Sequence, residues 1–572
     1  MPTIQFKGKT FVQNHHLAVK YHQLVPKKEL SLTDKISLHD NLIIEGDNLR
    51  ALKSLLPTYA GKIKCIYIDP PYNTGTDNGK WVYNDNVSSP MMQDWLGSIV
   101  DAEDLTRHDK WLCMMLPRLK LLRELLSENG YIFISIDDHE LCSLKTIMDE
   151  IFGKSNYIEI FAWTKTSTPP SLASKSRKTT EYVICYQNTK DSSKLRGESL
   201  SGGDQPLLNS GNALRELKFP KEIVKFNKDG VYKKGTYDRV TLKTDIKVSG
   251  GKANKDFVLE GEYKWGDDFF QNEIKDGTTF IIKSEKFAIR FIRKDDDGHK
   301  APNNLFKEKY FSNIIDKPNT EVGTNETASA ELEDLFGKKV FDFPKPMTLI
   351  KYLISLCTEE DDIILDSFAG SGTTAHAVLQ LNKEDEGNRK FILVQWKELN
   401  RENTLIDITN DVTAERTRRV INGVPKSKNF KKGTGGTFSY FELGPTIEME
   451  SILQGKNLPS YKEFARYIFY TATGEEFNEK KIQFLPPLEG EKEGGMGFIG
   501  ETKNYELYMF YKPDVEWLKR NALTLDGVKA MPKFNGKQRL VFAPAKYVDD
   551  YTCLENRIDF CQLPYEIYRI QK

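Results

Sequence analysis

Two apolar segments that each end abruptly in a loop place the strongest constraint on how this chain folds. The first is GKIKCIYIDPPY at 61–72, where a β-branched and aromatic run stops at a pair of prolines. The second is DDIILDSFAGSGTT at 361–374, where an apolar run passes into a glycine-rich loop. Short apolar runs bounded by loop residues predict buried strands. The two predicted strands are separated by almost 300 residues of sequence.

Helical and strand patterns alternate around both segments. Residues 111–129 have apolar residues at helical spacing and predict a helix that stops at Gly130, with Pro117 expected to kink it or to mark its start. The sequence GYIFISID (130–137) predicts a strand, LCSLKTIMDEIFG (141–153) a helix, AHAVLQLN (375–382) a helix and RKFILVQW (389–396) a strand. This alternation predicts a parallel sheet covered by helices and completed from two distant segments.

The region from about 164 to 340 has a different pattern. Short alternating runs, such as 280–283 and 287–292, are separated by Gly, Asn and Asp turns, which indicates an inserted β-rich domain. Residues 211–255 carry twelve Lys and Arg against five acids, a local excess of seven. Such lysines alone are more often a solvated face, but their place in the insert favours contact with nucleic acid phosphates.

Length and composition limit the class of protein. A chain of 572 residues exceeds what one hydrophobic core usually organises. We predict two halves of one α/β domain at 1–163 and 341–425, the insert at 164–340 and, after the glycine- and lysine-rich stretch at 428–437, a C-terminal domain at 438–572. The seven cysteines form no C-x-x-C pair and the eight histidines no metal spacing, so we expect neither disulfides nor a metal site. Without an apolar signal or an 18-residue apolar run, a cytoplasmic protein with no membrane segment is expected.

The glycine loop is the first candidate site. Asp366, Phe368, Gly370 and Gly372 lie where a strand turns into a helix, so the backbone and the helix N-terminal amides can approach a ligand closely. A lone Gly-x-Gly is more often a turn without a ligand. There is no third glycine at dinucleotide spacing and no Gly-Lys-Ser/Thr, which argues against NAD and nucleoside triphosphates. The pattern resembles the S-adenosylmethionine loop of Rossmann-like methyltransferases, and Ala369, Ser371 and Thr373 complete it.

The second candidate site is Asp69-Pro70-Pro71-Tyr72, at a strand end where ligands of open α/β sheets bind. It can also be read as a rigid loop without a ligand. The amino group of adenine is a poor nucleophile. The Asp69 carboxylate and the Pro70 carbonyl can accept hydrogen bonds from this amino group and stabilise the cation formed on methyl transfer. The prolines hold that carbonyl in place. Tyr72 offers a ring for a base flipped out of the duplex.

The order of these motifs, with DPPY first, FxGxG last and a long insert between, resembles the β group of amino-methyltransferases. More closely, the chain resembles the modification (Mod) subunits of type III restriction-modification systems. The segments that carry the resemblance are Gly46-Asp47-Asn48, DPPYNTG (69–75), WVYND (81–85), GYIFISIDD (130–138), FPKP (343–346), DSFAGSGTTAHAV (366–378), VFAPAK (541–546) and FCQLPYEI (560–567).

The resemblance implies a Rossmann-like S-adenosylmethionine-dependent methyltransferase domain with circularly permuted motifs, an inserted target-recognition domain and a C-terminal domain. Residues 1–163 would be its catalytic half and 341–425 its cofactor-binding half. It implies N6-adenine methylation of double-stranded DNA with the target adenine flipped out, a homodimer, and a separate helicase-nuclease partner called Res. The chain has no G-x-x-x-x-G-K-[ST] phosphate loop, so cleavage would need another protein.

The resemblance also assigns further residues. Lys345 and Pro346 match the segment near the methionine part of the cofactor, and Asp47 is a weaker candidate beside the site. Two positions depart from the pattern. Gln395 stands where many relatives have an acid that holds the ribose hydroxyls, and it can hydrogen-bond only as a neutral group. Thr180 stands where a histidine is usual.

Three alternatives stay open at the level of sequence. N4-cytosine methylation uses the same geometry, although the cytosine enzymes more often have Ser at the first position of DPPY. RNA methylation is disfavoured by the large insert and the type III-like C-terminus. A catalytically inactive DNA-binding regulator is disfavoured by the intact DPPY and FxGxG motifs.

Overall fold

The computed structural model describes residues 3–74, 106–166, 168, 175–197, 204–294, 301–306, 322–399, 405–447, 458–485, 495–533 and 535–563. The WVYND segment at 81–85, Gly75 of DPPYNTG and the last residues of FCQLPYEI lie outside this range. The described chain divides into two compact units, one formed by 1–192, 304–308 and 322–572, the other by 193–303 and 309–321.

A ten-stranded sheet forms the centre of the first unit. Its strands in spatial order are His22–Pro26, Ser439–Thr446, Leu42–Glu45, Lys390–Gln395, Ile363–Asp366, Ile63–Ile68, Leu126–Ile136, Thr180–Gln187, Tyr157–Thr164 and Leu305–Phe306. The six from Ser439–Thr446 to Leu126–Ile136 run parallel, and antiparallel pairs begin on either side of them. The predicted parallel sheet completed from distant segments is confirmed.

Helices cover this sheet as the alternating pattern predicts. The α-helices in the described part of the first unit are Lys9–Val12, His15–Ala18, Asn48–Tyr59, Arg107–Leu125, Leu141–Phe152, Asn325–Phe336, Met347–Ser355, Thr373–Asp385, Glu415–Asn422, Tyr461–Thr473, Val515–Arg520, Leu525–Lys529 and Asp550–Glu555. Alternate strand residues such as Ile66 and Ile68 belong to one large apolar core, to which the first, third, fourth and fifth of these helices also contribute residues. No helix in the described part of the chain is long and apolar enough to cross a bilayer.

The predicted end of one helix is wrong. The helix over Arg107–Leu125 continues through Pro117 and ends before Gly130, because Leu126 already starts the next strand in an extended conformation. Gly130 lies inside that strand rather than at a helix end. A Cβ at Gly130 would lie 2.8 Å from the carbonyl oxygen of Ile63, so glycine there permits close approach of the neighbouring strand. The predicted end at Gly153 is correct, with φ 91°.

The second unit is built from short strands around its own aromatic core. Among the described residues of this unit there is one helix, Asp267–Lys275, and the strands are Gln205–Pro206, Leu214–Phe219, Val224–Phe226, Gly230–Tyr232, Gly235–Tyr237, Val240–Leu242, Ile246–Ser249, Lys252–Ala253, Phe257–Glu262, Thr279–Ile282 and Ile289–Ile292. The second unit covers fewer residues, 193–303 and 309–321, than the expected insert of 164–340. The strand Thr180–Gln187 belongs to the first unit because it pairs with Leu126–Ile136 in the large sheet. The helix Asn325–Phe336 also belongs to the first unit.

The C-terminal segment belongs to the first unit. After the stretch at 428–437 the chain enters Ser439–Thr446, which pairs in parallel with Leu42–Glu45 in the large sheet. A smaller sheet follows, made of Gln483–Phe484, Met496–Glu501, Tyr505–Phe510, Gln538–Ala543 and Ile558–Gln562. The expected boundary at 438 therefore precedes a strand of the central sheet, and 428–437 connects two parts of one unit.

Candidate active site

The two motif loops meet at one edge of the sheet. The strands Ile63–Ile68 and Ile363–Asp366 are parallel neighbours, with Leu365 opposite Ile66. Parallel neighbours bring their carboxyl ends to the same edge, where open α/β sheets bind ligands. A cavity of about 940 Å³ lies there and is lined by both loops. Motifs almost 300 residues apart in sequence thus share one cavity.

Most of the candidate residues line this cavity. They are Asp69, Pro70, Pro71, Tyr72, Lys345, Asp366, Phe368, Ala369, Gly370, Ser371, Thr373 and Gln395, and Asp47 lines it as well. Gly372 and Pro346 are not among the lining residues. Gly372 starts the helix Thr373–Asp385 at φ 75°, and a Cβ there would lie 3.0 Å from the Thr413 carbonyl oxygen. Pro346 precedes the helix Met347–Ser355, and each of the two residues is next in sequence to one that lines the cavity.

One carboxylate oxygen of Asp69 accepts a hydrogen bond, and the other accepts none from the described residues. Its Oδ2 accepts a hydrogen bond of 2.8 Å from Lys345 Nζ, whereas its buried Oδ1 has no hydrogen-bond partner among the described residues. The side chain of Lys345 is 11% exposed. Burial works against its charge, but Asp69 and the nearby Glu181 outweigh burial and raise the pKa of Lys345 above its usual value. Lys345 therefore contacts the DPPY carboxylate as a cation.

The Tyr72 ring is oriented by two contacts. Its hydroxyl donates to Glu181 Oε2 at 3.1 Å, and Lys345 Nζ lies 4.9 Å from the ring centroid. Burial and the nearby Asp69 charge raise the pKa of Tyr72 well above its usual value, so the hydroxyl stays a donor. Behind the loop, Trp111 Nε1 donates to the Pro71 carbonyl oxygen at 2.6 Å. The loop is thus braced before any ligand binds.

The glycine loop is held by side chains from neighbouring elements. Gly370 has φ 50°; its N–H donates to Gln395 Oε1 at 2.7 Å, and its carbonyl oxygen accepts from Thr413 Oγ1 at 2.6 Å. The Gln395 amide nitrogen donates to the carbonyl oxygen of Trp396. Gln395 therefore braces the loop, and the ribose contact suggested by its position in the motif stays a prediction.

Asp366 lies at the base of the loop and is 2% exposed. Its two oxygens accept hydrogen bonds from Phe368 N at 3.0 Å and Thr374 Oγ1 at 2.5 Å. Burial is the main cause that raises the pKa of Asp366 to about 7, and the two hydrogen bonds only partly offset it. The carboxyl group thus shapes the loop from below.

A buried arginine that the motifs did not reveal lies under the glycine loop. Arg416 is 1% exposed and donates to Ser371 Oγ at 3.1 Å and to Thr373 Oγ1 at 2.7 Å. Its other terminal nitrogen donates to Glu331 Oε1 at 3.2 Å, which ties the loop to the helix Asn325–Phe336. In sequence, Arg416 is one of several charged residues in ERTRR, and only the fold distinguishes it from its solvated neighbours.

Four residues near the site have structural explanations. Asp47 caps the helix Asn48–Tyr59 by accepting from Arg50 N at 3.1 Å. Asp137, Asp138 and His139 come close enough together to share a metal ion. Lys178 Nζ already binds Asp138 at 2.8 Å and His139 Nδ1 contacts Asp137 at 2.7 Å, so contacts within the protein account for their arrangement.

The fold and the paired loops define a class of proteins, the Rossmann-like group-transfer enzymes with a DPPY loop and a glycine loop at one cavity. The family model described as DNA methylase matches residues 63–399, which include both loops. This chain belongs to that DNA methylase family.

Similar proteins of known name extend the match. The Type III restriction-modification enzyme StyLTI Mod subunit of Salmonella typhimurium is 32% identical over 73% of this chain and 62% of its own length. The EcoPI Mod subunit of Escherichia phage P1 is 33% identical over 63% of this chain and 58% of its own length. Type II methyltransferase M.KpnI of Klebsiella pneumoniae is 30% identical over 64% of this chain and 82% of its own length. The chain spans about three fifths of the length of the two Mod subunits.

Proposed function

We propose that this chain transfers a methyl group from S-adenosylmethionine to the N6 amino group of adenine in double-stranded DNA, as the modification subunit of a type III restriction-modification system. The observation that carries the proposal is the shared cavity. There the Asp69 carboxylate, with one oxygen bound to Lys345 and the other free of hydrogen bonds among the described residues, follows the end of the strand that neighbours the strand leading into the glycine loop. The similarity to Mod subunits supports the choice of system and base.

The cavity residues fit S-adenosylmethionine. A cavity of about 940 Å³ is ample for a ligand of this size. Ser367 Oγ and Asn325 Oδ1, both on lining residues, are buried without a hydrogen-bond partner among the described residues, so a polar ligand would satisfy them. The loop from Phe368 to Thr373 would hold the cofactor. Trp396, 51% exposed at the same cavity, offers a ring to its adenine.

In the proposed mechanism, Asp69, Pro70 and Tyr72 of the DPPY loop, together with Lys345, each have a physical task. When bound, the cofactor supplies an electrophilic methyl group. Asp69 Oδ1 and the Pro70 carbonyl would accept hydrogen bonds from the two N6 hydrogens of adenine and stabilise the positive charge that grows on the nitrogen, and one of these protons would then be lost to water. Lys345 holds Asp69 Oδ2, so the free oxygen does not need to reorient during the reaction. Tyr72 stacks on the flipped base.

Modified-base sequencing of DNA from a methylation-free host that expresses this chain tests the proposal. N6-methyladenine at one recurring sequence is expected. N4-methylcytosine would contradict the base assignment, and unmodified DNA together with intact DNA binding would favour the inactive regulator. A cytoplasmic location, a homodimer and a Res partner belong to the same proposal. Co-purification of the chain with a helicase-nuclease subunit, and its mass in solution, test the two partners.

Replacement of Gly370 by valine is expected to weaken cofactor binding while the protein still folds. Gly370 has φ 50°, and a Cβ there would lie 3.3 Å from the Phe341 ring, so the new side chain forces the loop to shift. Overpacking of about 1–3 kcal/mol corresponds to a roughly 5- to 150-fold loss of affinity. Titration calorimetry with S-adenosylmethionine measures it. Gly474→Val, with φ 69° and open space, controls for backbone strain, and unchanged affinity in Gly370→Val would remove this cofactor site.

We propose that the second unit contacts DNA and reads the target. Lys218, Lys225, Lys233 and Lys234 are all exposed. The ammonium groups of Lys218 and Lys233 lie 3.5 and 3.2 Å from exposed carboxylates, whereas those of Lys225 and Lys234 form no ion pair within 4.0 Å in the described part of the chain. Neither pair is buried, so all four ammonium groups remain available to phosphates.

Replacing these four lysines with glutamine is expected to weaken DNA binding and flatten its salt dependence. Each lost phosphate contact lowers the slope of log affinity against log salt by about 0.9. Binding measured from low to high salt gives this slope. Glutamine at Lys462, Lys481, Lys503 and Lys519, four exposed lysines of the first unit, is the charge-matched control. If the slope of the second-unit variant stays at the wild-type value, its four lysines are a solvated face.

A further inference from the structure

Glu181 is a buried carboxylate that the sequence motifs did not assign. It lies at the start of the strand Thr180–Gln187, and its side chain is 7% exposed. Three donors surround it. Lys165 Nζ lies 3.0 Å from Oε1, the Tyr72 hydroxyl 3.1 Å from Oε2, and Lys345 Nζ 3.6 Å from Oε2. A carboxylate this buried is expected to be paired, and here two of its partners belong to the proposed catalytic site.

The charges around Glu181 balance. Lys345 faces Asp69, Glu181 and the Tyr72 ring, and Lys165 faces Glu181 from the neighbouring strand end. Two ammonium groups therefore meet two carboxylates, with the carboxyl group of Asp366 as a further neighbour that interacts with Asp69. Burial favours protonation of Glu181, but Lys345 and Lys165 outweigh it and lower the pKa of Glu181. The group is an anion that keeps Lys345 cationic.

We propose that Glu181 is a positioning residue that sets both halves of the DPPY loop, because it holds Asp69 through Lys345 and the Tyr72 ring through its hydroxyl. The inference rests on the proposed function. The hydrogen bond from Lys345 Nζ to Oδ2 anchors the side chain of Asp69, and rotation about that side chain would displace Oδ1, which has no hydrogen-bond partner among the described residues. Glu181 limits where Lys345 can lie and thereby where Oδ1 lies. It touches neither of the reacting groups itself.

Glu181→Gln tests this inference because it removes the charge and keeps the shape. Misplacement of reacting groups by about 1 Å costs up to roughly a hundredfold in rate, so we expect kcat for methyl transfer to fall about ten- to a hundredfold. The affinity for S-adenosylmethionine should stay at the wild-type value. The alkaline limb of the pH–activity profile should also shift to lower pH. The reason is that Lys345 loses one of the two anions that raise its pKa, so it loses its proton at a lower pH than in wild type. Wild-type kcat and an unchanged alkaline limb would overturn the inference.

Two further variants separate positioning from stability. Glu384→Gln breaks the ion pair of Glu384 with the buried Lys351, at 2.8 Å and outside the cavity, and should lower thermal stability without changing kcat. Tyr72→Phe deletes only the hydroxyl that Glu181 accepts from, and leaves the buried charges balanced. It should lower kcat while DNA affinity is retained. A wild-type kcat in Tyr72→Phe would contradict the link between Glu181 and the ring.

A measurement on the protein without cofactor or DNA distinguishes failure of this inference from failure of the proposed function. Competitive labelling of lysine amines at a series of pH values, followed by mass spectrometry, reports the protonation of Lys345. In Glu181→Gln, Lys345 should become reactive at a lower pH than in wild type, and in Glu384→Gln it should not. An unchanged labelling profile overturns the link between Glu181 and Lys345, even in a protein that transfers no methyl group.

Discussion

Asp69→Ala should reduce methyl transfer by about 100- to 1,000-fold while cofactor and DNA still bind. The free Oδ1 acts most strongly as positive charge grows on the amino nitrogen, so its loss affects the transition state more than the bound ground state. A water molecule in the vacated space would have to reorient during the reaction. Transfer of labelled methyl to DNA, measured with saturating substrates, gives kcat. Binding of cofactor and DNA is measured separately.

A control variant removes a similar ion pair elsewhere. Asp149 Oδ2 accepts from Lys145 at 2.6 Å and lies on the helix Leu141–Phe152, outside the cavity. Asp149→Ala should lower stability and leave kcat near the wild-type value. Full activity in Asp69→Ala would show that the DPPY loop is not the active site. An equal loss in both variants would show that the effect arises from stability.

Tyr72→Ala should weaken capture of the flipped base by about 1–3 kcal/mol, because stacking on an aromatic ring contributes that much per base. This corresponds to a roughly 5- to 150-fold rise in the DNA concentration that half-saturates the reaction. The reaction should also slow, because the base is held less firmly.

Tyr72→Phe is the matched comparison for this effect. It keeps the ring and loses only the hydroxyl that donates to Glu181, so DNA affinity should stay close to wild type. Steady-state kinetics against DNA concentration separate the two contributions. Equal half-saturating concentrations in wild type and Tyr72→Ala would show that Tyr72 does not stack on the base.

The lengths of elements were the least predictable part of the fold. The strand Leu126–Ile136 begins four residues before Gly130, because its first residues pair with Ile63 in the sheet instead of extending the preceding helix. The helical periodicity at 111–129 contains no signal that Leu126 pairs with Ile63 in the sheet. Likewise the strand Thr180–Gln187 joins the large sheet, although its surroundings in sequence resemble the β-rich insert. Sheet pairing between distant segments decided both boundaries.

The sequence by itself determined the parallel α/β sheet, the two loops at its strand ends and the types of residue that the proposed chemistry needs. These features are local, because strand periodicity, prolines and glycines act over a few neighbouring positions. Only the tertiary structure decided which groups contact each other. Lys345 binds Asp69 across 276 positions of sequence, Glu181 accepts from Tyr72, and Arg416 holds the glycine loop from below. Burial and parallel strand order create these contacts, and neither is encoded in a short motif.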